Sequence, residues 1–370
     1  MRIGFDGKRF FHNNTGLGNY SRSLIKVLSD YLPENEYLLY NPKKRSNYKL
    51  TNFNKSVIEV NPENYLSKKL MSLWRLFFVS NKIKKQNLDI FHGLSGEIPL
   101  GLPNNIKKVV TIHDLIFVRY PNLYSYFDRK IHLLKFRYAA KKSDVVVAIS
   151  QQTKNDVVSF LGINKDKIKV IYQGCNAVFK QTFTEDQIKD TLIKYNLPEN
   201  YILNVGTIEK RKNLLTVLKS ITNSDKNLVV IGKKTDYFDE VRNYIISNNL
   251  EKQVLFLKNL SLEEMAIIYQ KATLFVYPSI FEGFGIPIIE ALYSKTPVIT
   301  STGSCFSEAG GSDSIYINPD NSEELKEAIN LLWENPSKRD EMQEKGFEFV
   351  QKFNDETIAK NWNELYQSLV

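Results

Sequence analysis

Short apolar, β-branched segments alternate with segments of helical pattern along nearly the whole chain, and this alternation constrains the fold more than any other feature. Segments that are apolar on both faces belong in parallel sheets covered by helices, and strand–helix alternation is typical of doubly wound α/β folds. The predicted strands are 1–6, 56–60, 89–91, 108–112 and 143–149 in the first half, and 201–205, 227–231, 253–256, 273–276 and 297–300 in the second. Two such series predict two Rossmann-like domains, each with its own sheet.

The break between the two predicted domains lies between residues 174 and 198. Gly174 ends the first series, and a polar stretch at 182–190 leads toward Pro198. After the second series, residues 353–369 have the pattern of an amphipathic helix. Its apolar stripe consists of Ile358, Trp362, Leu365 and Tyr366. We expect this stripe to pack in an ordinary core.

Charge divides the chain in the same way. The length of 370 residues suits two domains of ordinary size. The net charge of +9 is not evenly spread between the two halves. Residues 1–180 hold 30 Lys and Arg against 13 Asp and Glu, whereas residues 181–370 hold 20 against 28. The basic half suits nucleic acid, an anionic membrane or a phosphorylated substrate, with a merely solvated surface as the alternative.

Several patterns are missing from the sequence. It has no apolar run of membrane-spanning length and no signal-peptide pattern, so we expect a cytoplasmic protein. Cys175 and Cys305 fit neither a metal nor a disulfide spacing, which predicts two buried thiols in a reducing compartment. The sequence contains no Asp-x-Asp pair and no cluster with metal spacing. A metal-dependent diphosphate site is therefore disfavoured, and no cofactor is expected.

Residues 277–290, with the sequence YPSIFEGFGIPIIE, form the strongest local motif. Gly285 allows a tight turn, and Pro287 suits the first position of the helix that follows. The N–H groups of a helix start favour an anion. Glu282 and Glu290 beside such a site are expected to accept hydrogen bonds from the neutral hydroxyls that sugars supply. Acids placed to cap the helix are the alternative explanation.

Three consecutive cations, Lys210, Arg211 and Lys212, follow the strand predicted at 201–205. Ligands bind at the carboxyl ends of strands in open α/β sheets. The guanidinium fork of Arg and the point charge of Lys both suit a diphosphate. Short runs of charge are also common on solvated surfaces, but the position at a strand end favours ligand binding.

Two further strand ends in the first half carry candidate ligand contacts. The segment 15–20 (TGLGNY) follows the first strand, yet Ser21 stands where a dinucleotide fingerprint needs a third glycine. Gly16 and Gly18 are instead predicted to let a loop close over phosphates through backbone N–H groups. His113 lies at the end of another predicted strand, where a structural histidine is the alternative.

Taken in order, these segments resemble the family 4 retaining glycosyltransferases. Those enzymes have the GT-B fold, an α/β fold in which two Rossmann-like, doubly wound parallel-sheet domains face each other across a cleft. The Glu-Gly-Phe-Gly-x-Pro-x-x-Glu string at 282–290 is specific to the group; the glycine loop, the His-Asp strand end, VAIS at 147–150, VIYQG at 170–174 and the GT…RKN segment at 206–213 support it by order and spacing. The resemblance implies an acceptor-binding domain at 1–178, completed by a crossover helix at 353–370, and a donor-binding domain at 179–352.

The resemblance also implies roles for individual residues. Arg211 and Lys212 are expected to neutralise the donor diphosphate and to stabilise the leaving nucleoside diphosphate. Glu282 is expected to hold hydroxyls of the transferred sugar, Glu290 those of the ribose, and His113 to contact the sugar near the reacting face. The remaining donor contacts are expected from Gly16, Gly18, Gly206, Thr207, Phe284, Gly285 and Ile286.

Two positions depart from the family pattern. Thr207 stands where many members have an arginine, so Arg211 or another group has to complete the phosphate clamp. Lys210 occupies a position often held by proline. The Gly-Thr-x-x-x-Arg-Lys-Asn form resembles the mannosyltransferase-like branch, which favours GDP-mannose as donor. A UDP-sugar donor and a non-catalytic nucleotide-sugar-binding module are the alternatives.

The predicted function is a metal-independent, retaining transfer of a hexose to a glycan or lipid-diphosphate-linked acceptor in cell-surface polysaccharide synthesis. Residues 68–78 (KKLMSLWRLFF) mix cations with large apolar groups. They are predicted to rest peripherally on the anionic inner face of the plasma membrane, with helix-core packing as the alternative. No nucleic-acid partner is expected, because the sequence contains no recognised nucleic-acid-binding motif.

Overall fold

The computed structural model describes residues 1–42, 48–62 and 79–370, which form two compact units. Unit 1 consists of Met1–Gly174 together with Phe353–Val370, and unit 2 of Cys175–Lys352. The predicted segment 68–78 lies outside the described residues. No helix in the described part of the chain is long and apolar enough to cross a membrane.

Within its described residues, unit 1 contains a seven-stranded parallel sheet in the order β3-β2-β1-β4-β5-β6-β7. The strands are β1 (Arg2–Asp6), β2 (Glu36–Tyr40), β3 (Val57–Val60), β4 (Ile90–Gly93), β5 (Lys107–Ile112), β6 (Val145–Ala148) and β7 (Ile168–Val170). In β1, Ile3 pairs with Tyr37 on one side and with Ile90 on the other. The order of the strands therefore reverses between β1 and β4, which is where open α/β sheets bind ligands.

Unit 2 repeats this topology with a six-stranded parallel sheet in the order β10-β9-β8-β11-β12-β13, counted over the part of the chain that the structure describes. The strands are β8 (Tyr201–Val205), β9 (Asn227–Ile231), β10 (Val254–Leu257), β11 (Leu274–Tyr277), β12 (Val298–Ser301) and β13 (Ile315–Ile317). Here the order reverses between β8 and β11, so the second switch point lies there. The prediction of two Rossmann-like parallel-sheet domains is confirmed.

Helices connect the strands in both units. Those of unit 1 are Lys8–His12, Gly16–Tyr31, Val79–Ile83, Ile116–Arg119, Tyr126–Lys142, Gln151–Asp156 and Asp355–Gln367. Those of unit 2 are Glu185–Lys194, Leu214–Ile221, Tyr237–Ser247, Leu262–Lys271, Ile286–Tyr293, Phe306–Gly310, Ser322–Trp333 and Pro336–Val350. Short 3-10 or π turns lie at Pro121–Leu123, Val157–Leu161, Lys165–Lys167, Ala177–Lys180, Lys210–Lys212 and Gln351–Phe353.

The sheet of unit 1 separates two apolar cores, because successive side chains of a strand point to opposite faces. Val110 belongs to one core and Val109, its neighbour in β5, belongs to the other. The helix Asp355–Gln367 closes the second core, where Trp362 and Tyr366 are fully buried. The predicted apolar stripe of this helix therefore packs in a core of unit 1.

The glycine segment after β1 differs from the prediction. The sequence predicts a loop at Gly16 and Gly18, but both residues lie in the first turn of the helix Gly16–Tyr31. The carboxamide oxygen of Asn13 accepts a hydrogen bond from the Gly18 N–H at 3.1 Å and thereby supports this earlier helix start. A side chain at Gly18 would collide with the Asn13 carbonyl oxygen, 1.9 Å from the position of a Cβ.

Candidate functional site

In unit 2, the loop after β8 and the loop after β11 are tied together at the switch point. The predicted cations form the 3-10 turn Lys210–Lys212, which ends at Asn213 in a left-handed conformation. The Ile280 N–H donates to the Arg211 carbonyl at 2.9 Å, and the Ser279 hydroxyl donates to the same oxygen at 3.1 Å. These bonds fix the backbone beneath the side chains of both loops.

Glu282 lies at the centre of the cluster that these loops form. Its Oε1 is 2.5 Å from Lys212 Nζ and 2.7 Å from Arg211 Nη1, and it accepts hydrogen bonds from Ser279 at 2.7 Å and Tyr277 at 2.9 Å. Burial raises the pKa of Glu282, but Lys212 and Arg211 outweigh it and lower this pKa to about 2. One buried, ionised carboxylate therefore pairs with two cations, and the three side chains together keep one positive charge.

Arg211 uses both ends of its guanidinium in contacts with the protein. Nη1 donates to the Phe281 carbonyl as well as facing Glu282, and Nη2 lies 2.6 Å from Glu209 Oε1. Burial acts against its charge, but Glu282 and Glu209 raise the pKa of Arg211 above its ordinary value. Arg211 is thus a permanent cation that joins the two loops.

Lys212 is less completely engaged than Arg211. Its ammonium group donates to Glu282 and to the Tyr277 hydroxyl, and it lies 4.8 Å from the centre of the Tyr277 ring. Burial lowers the pKa of Lys212, while Glu282 acts in the opposite direction. An ammonium has three N–H bonds. Glu282 and Tyr277 are the hydrogen-bond acceptors it has among the described residues, so one N–H remains for a ligand.

Glu290 has a different environment from Glu282. It lies inside the helix Ile286–Tyr293, where the Tyr269 hydroxyl donates to its Oε2 at 3.1 Å. Burial raises the pKa of Glu290 to about 7, and the bond from Tyr269 opposes this only in part. The two glutamates of the motif therefore differ in charge near neutral pH, since Glu282 is ionised and Glu290 is about half protonated.

The remaining predicted donor contacts lie at the two loop ends. Gly285 has φ of 98°, a left-handed conformation that favours glycine, and it precedes the first helical residue, Ile286. Pro287 is the second residue of the helix, one position later than predicted. Gly206 and Thr207 follow β8 directly, and the Gly206 N–H donates to a carbonyl of β9 at 2.9 Å. Phe284 is buried beside the helix start.

In unit 1, His113 follows β5 and has both ring nitrogens engaged. Nε2 is 2.9 Å from the Leu94 carbonyl oxygen, and Nδ1 is 3.2 Å from Nε2 of Gln173. Because a carbonyl only accepts hydrogen bonds, Nε2 carries the proton and Nδ1 accepts from the Gln173 amide. Burial lowers the pKa of His113 to about 4. His113 is therefore neutral. Tyr20 packs edge-on against it, with 4.5 Å between the centres of the two rings.

His113 also lines an open cavity of about 630 Å³ at the switch point of unit 1. Arg9 after β1, Glu97 after β4 and Asp114 after β5 line it as well, with aromatic rings on the side of the helix Tyr126–Lys142. The Arg9 guanidinium makes no hydrogen bond or ion pair with any residue that the structure describes. The sequence interpretation missed Arg9, although a cation directly after the first strand was a usable signal.

The structure thus separates the predicted residues into three groups. Arg211, Lys212 and Glu282 form one cluster, Glu290 pairs with a tyrosine, and the residues of unit 1 surround their own switch point. Within residues 1–42, 48–62 and 79–370, no group of three or more His, Cys, Asp or Glu side chains is placed to hold a metal ion. The two cysteines are buried and unpaired with each other.

Comparison with protein families gives two matches that together span most of the chain. Residues 32–178 match the family described as Glycosyltransferase Family 4, and residues 187–349 match Glycosyl transferases group 1. The O-antigen chain mannosyltransferase RfbU of Salmonella typhimurium is 32% identical over 232 residues, which are 62% of this chain and 62% of that protein. The O-antigen chain mannosyltransferase B of Escherichia coli is 23% identical over the full length of both chains.

Solved structures share the fold at lower identity. Sucrose-phosphate synthase from Thermosynechococcus elongatus has a TM-score of 0.80 and 20% identity, covering 100% of this chain and 99% of that one. Anabaena HepE in complex with UDP and glucose has a TM-score of 0.75 and 18% identity, covering 99% of each chain. At these identities the likeness shows the fold alone.

Proposed function

Because the chain belongs to the family 4 glycosyltransferases, we propose that it transfers mannose from GDP-mannose to a glycan or lipid-diphosphate-linked acceptor during O-antigen-type polysaccharide synthesis. The observation that carries this proposal is the cluster of Lys212, Arg211 and Glu282 at the switch point of unit 2. The names of the mannosyltransferase relatives support the choice of sugar.

In this proposal, Lys212 is the main contact of the donor diphosphate. Its ammonium is largely buried and held in place by Glu282, and it keeps one N–H for a phosphate oxygen. A preorganised cation in a dry site stabilises the charge that develops on a departing diphosphate far better than one exposed to water. Arg211 adds a second positive charge close by, and its hydrogen bond to the Phe281 carbonyl holds the two loops together.

Glu282 and Glu290 then have separate tasks. Glu282 orients the cations and, in this proposal, also accepts a hydrogen bond from a hydroxyl of the transferred sugar. Glu290 accepts hydrogen bonds from the ribose hydroxyls, with Tyr269 holding the carboxyl group in position. Backbone N–H groups of Phe284, Gly285 and Ile286 at the helix start add to the donor contacts.

We further propose that the acceptor binds in the cavity of unit 1, where Arg9 provides a cation for a phosphate or carboxylate group and His113 contacts the sugar. Transfer proceeds with retention of configuration, with the attacking hydroxyl on the face of the leaving group and a diphosphate oxygen as its base. The configuration of the new anomeric carbon, read from the product by NMR, tests this. An inverted product would rule the mechanism out.

The same proposal holds that no metal ion is required, because Arg211 and Lys212 supply the positive charge that a metal supplies elsewhere. Turnover of purified protein should be unchanged when EDTA is added. A loss of turnover that returns with Mg²⁺ or Mn²⁺ would contradict this.

A donor screen tests the function itself. The release of GDP or UDP is measured with GDP-mannose, UDP-glucose, UDP-galactose and UDP-N-acetylglucosamine, with and without a membrane extract as the source of acceptor. We expect acceptor-dependent release of GDP from GDP-mannose. Release of UDP would show that the donor is a UDP-sugar. Binding of nucleotide-sugars without release of GDP or UDP from any of them would identify a non-catalytic binding module.

A further inference from the structure

The helix Tyr126–Lys142 of unit 1 has an apolar stripe on its exposed face. Phe127, Ile131 and Leu134 follow one another at intervals of four and three residues, which places them on one side of the helix. Their exposed fractions are 77%, 51% and 67%. Single exposed apolar residues are common on protein surfaces, but an aligned stripe of three large ones indicates a binding surface.

Basic residues surround this stripe. The helix carries one acid, Asp128, against six cations, which are Arg129, Lys130, Lys135, Arg137, Lys141 and Lys142. An exposed apolar stripe flanked by Lys and Arg suits an anionic membrane surface, where the apolar side chains enter among the acyl chains and the cations reach the headgroups.

A small cleft beside the stripe contains two cations that form no ion pair with any residue that the structure describes. Arg129 and Lys130 line an open space of about 310 Å³ together with Tyr126 and Leu133. The Nε atom of Arg129 is buried and has no hydrogen-bond partner in the described part of the chain. Lys130 lies 5.4 Å from the centre of the Tyr126 ring and forms no ion pair among the described residues. The positive charges of Arg129 and Lys130 on the wall of this open cleft suit a phosphate oxygen.

We propose that unit 1 docks on an anionic phospholipid bilayer through Phe127, Ile131 and Leu134, with lipid phosphates bound by Arg129 and Lys130. The inner face of the same helix contributes His132 and Phe136 to the cavity that contains Arg9. Docking of the outer face therefore places this cavity about one helix diameter, roughly 10 Å, from the bilayer, within reach of the headgroup of a lipid-diphosphate-linked acceptor. This last consequence rests on the proposed function, whereas the docking itself does not.

Vesicle flotation tests the proposal with the full-length protein. The protein is mixed at low salt with vesicles of phosphatidylcholine alone or of phosphatidylcholine with phosphatidylglycerol, and the bound fraction is measured. We expect binding to the anionic vesicles only. The double variant Phe127→Ser/Leu134→Ser should bind at least about tenfold more weakly, because two large apolar side chains no longer enter the bilayer. Arg129→Gln/Lys130→Gln should lose most of the preference for phosphatidylglycerol.

Ile193→Ser provides a matched control. Ile193 is also 67% exposed on a helix, but it belongs to unit 2 and has no such basic surroundings. This variant should bind vesicles as the wild type does, and thermal unfolding establishes that all the variants are folded. The proposal would be overturned if the wild-type protein did not bind anionic vesicles. It would also be overturned if the Phe127→Ser/Leu134→Ser variant bound them as well as the wild type does. Sedimentation showing that this double substitution dissociates a dimer without changing lipid binding would overturn it too.

Vesicle binding requires neither donor nor turnover. A negative flotation result therefore leaves the proposed glycosyl transfer intact, and a negative donor screen leaves the docking surface intact.

Discussion

The ammonium nitrogen of Lys212 lies 2.5 Å from Oε1 of Glu282, a residue 70 positions later in the chain. The fold produces this contact, because β8 and β11 are parallel neighbours whose carboxyl ends meet at one edge of the sheet. Lys212 is thus held in place before any ligand arrives, and a fixed cation requires little reorganisation when negative charge develops beside it.

The contact makes stability depend on pH through Glu282. The pKa of Glu282 in the folded protein, about 2, lies below its ordinary value of 4.5, so its ionisation stabilises the fold above about pH 4.5. That contribution is lost as the pH falls toward about 2. Between these limits, the wild type should lose up to about 3 kcal/mol more unfolding free energy than Glu282→Gln. Denaturant titrations at several pH values measure the unfolding free energy of both proteins. The same dependence of this free energy on pH in both would contradict the ion pairs of Glu282.

Glu290 predicts the opposite pH dependence. Its pKa is raised to about 7, so the folded protein favours the neutral form, and the stability that this gives below about pH 4.5 is lost as the pH rises through about 7. Glu290→Gln should therefore be more stable than the wild type at pH 8, by up to about 3 kcal/mol, and equally stable at pH 4. It should also bind the nucleotide more weakly. If Glu290→Gln and the wild type have the same melting temperature at pH 8 as well as at pH 4, the argument that burial raises the pKa of Glu290 is refuted.

His113 should not act as an acid or base near neutral pH. With its pKa lowered to about 4 and both nitrogens engaged by Leu94 and Gln173, the ring remains neutral throughout the working range. NMR of ¹³C-labelled histidine should show a ring signal that does not titrate between about pH 6 and 8 and that disappears in His113→Asn. Burial also lowers the pKa of His92, to about 3, so a second such signal should remain in that variant. A His113 signal that titrates near pH 6.5 would contradict the assigned hydrogen bonds.

Arg9 should affect the acceptor and not the donor. Arg9→Ala removes a cation that has no protein partner within the described residues, so a charge-assisted bond to the acceptor is lost while the fold is not disturbed. The KM for the acceptor should rise by about tenfold, and the affinity for the donor nucleotide should not change. Lys8→Ala, an exposed cation on the same helix, is the control. An unchanged KM would remove Arg9 from the acceptor site.

The sequence was sufficient to predict the architecture but not every strand. Strands such as β8 and β9 are long and β-branched, and they lie where the sequence predicts them. The three strands β2, β7 and β13 were not predicted. The segment EYLLY of β2 lacks β-branched residues, and the other two have three residues each, so their pairing with neighbours decides their conformation.

The sequence predicts that Arg211, Lys212 and Glu282 belong to one domain, but not which of them pair. Sequence patterns placed Arg211, Lys212 and Glu282 in one domain, but they assigned the carboxylate to the sugar and the cations to the diphosphate as separate groups. Which side chains neutralise one another depends on loop conformation, such as the bonds from Ser279 and Ile280 to the Arg211 carbonyl. Those long-range contacts leave no pattern in a single sequence.

The central claim is that Lys212 and Arg211 stabilise a departing nucleoside diphosphate. The most direct test is the rate of GDP release from GDP-mannose in the presence of acceptor, compared among the wild type, Arg211→Ala, Lys212→Ala and the control Lys210→Ala. Lys210 belongs to the same turn but is exposed. We predict a loss of at least about 100-fold for Arg211→Ala and Lys212→Ala and a near-normal rate for Lys210→Ala. Near-normal rates in both Arg211→Ala and Lys212→Ala would contradict the account.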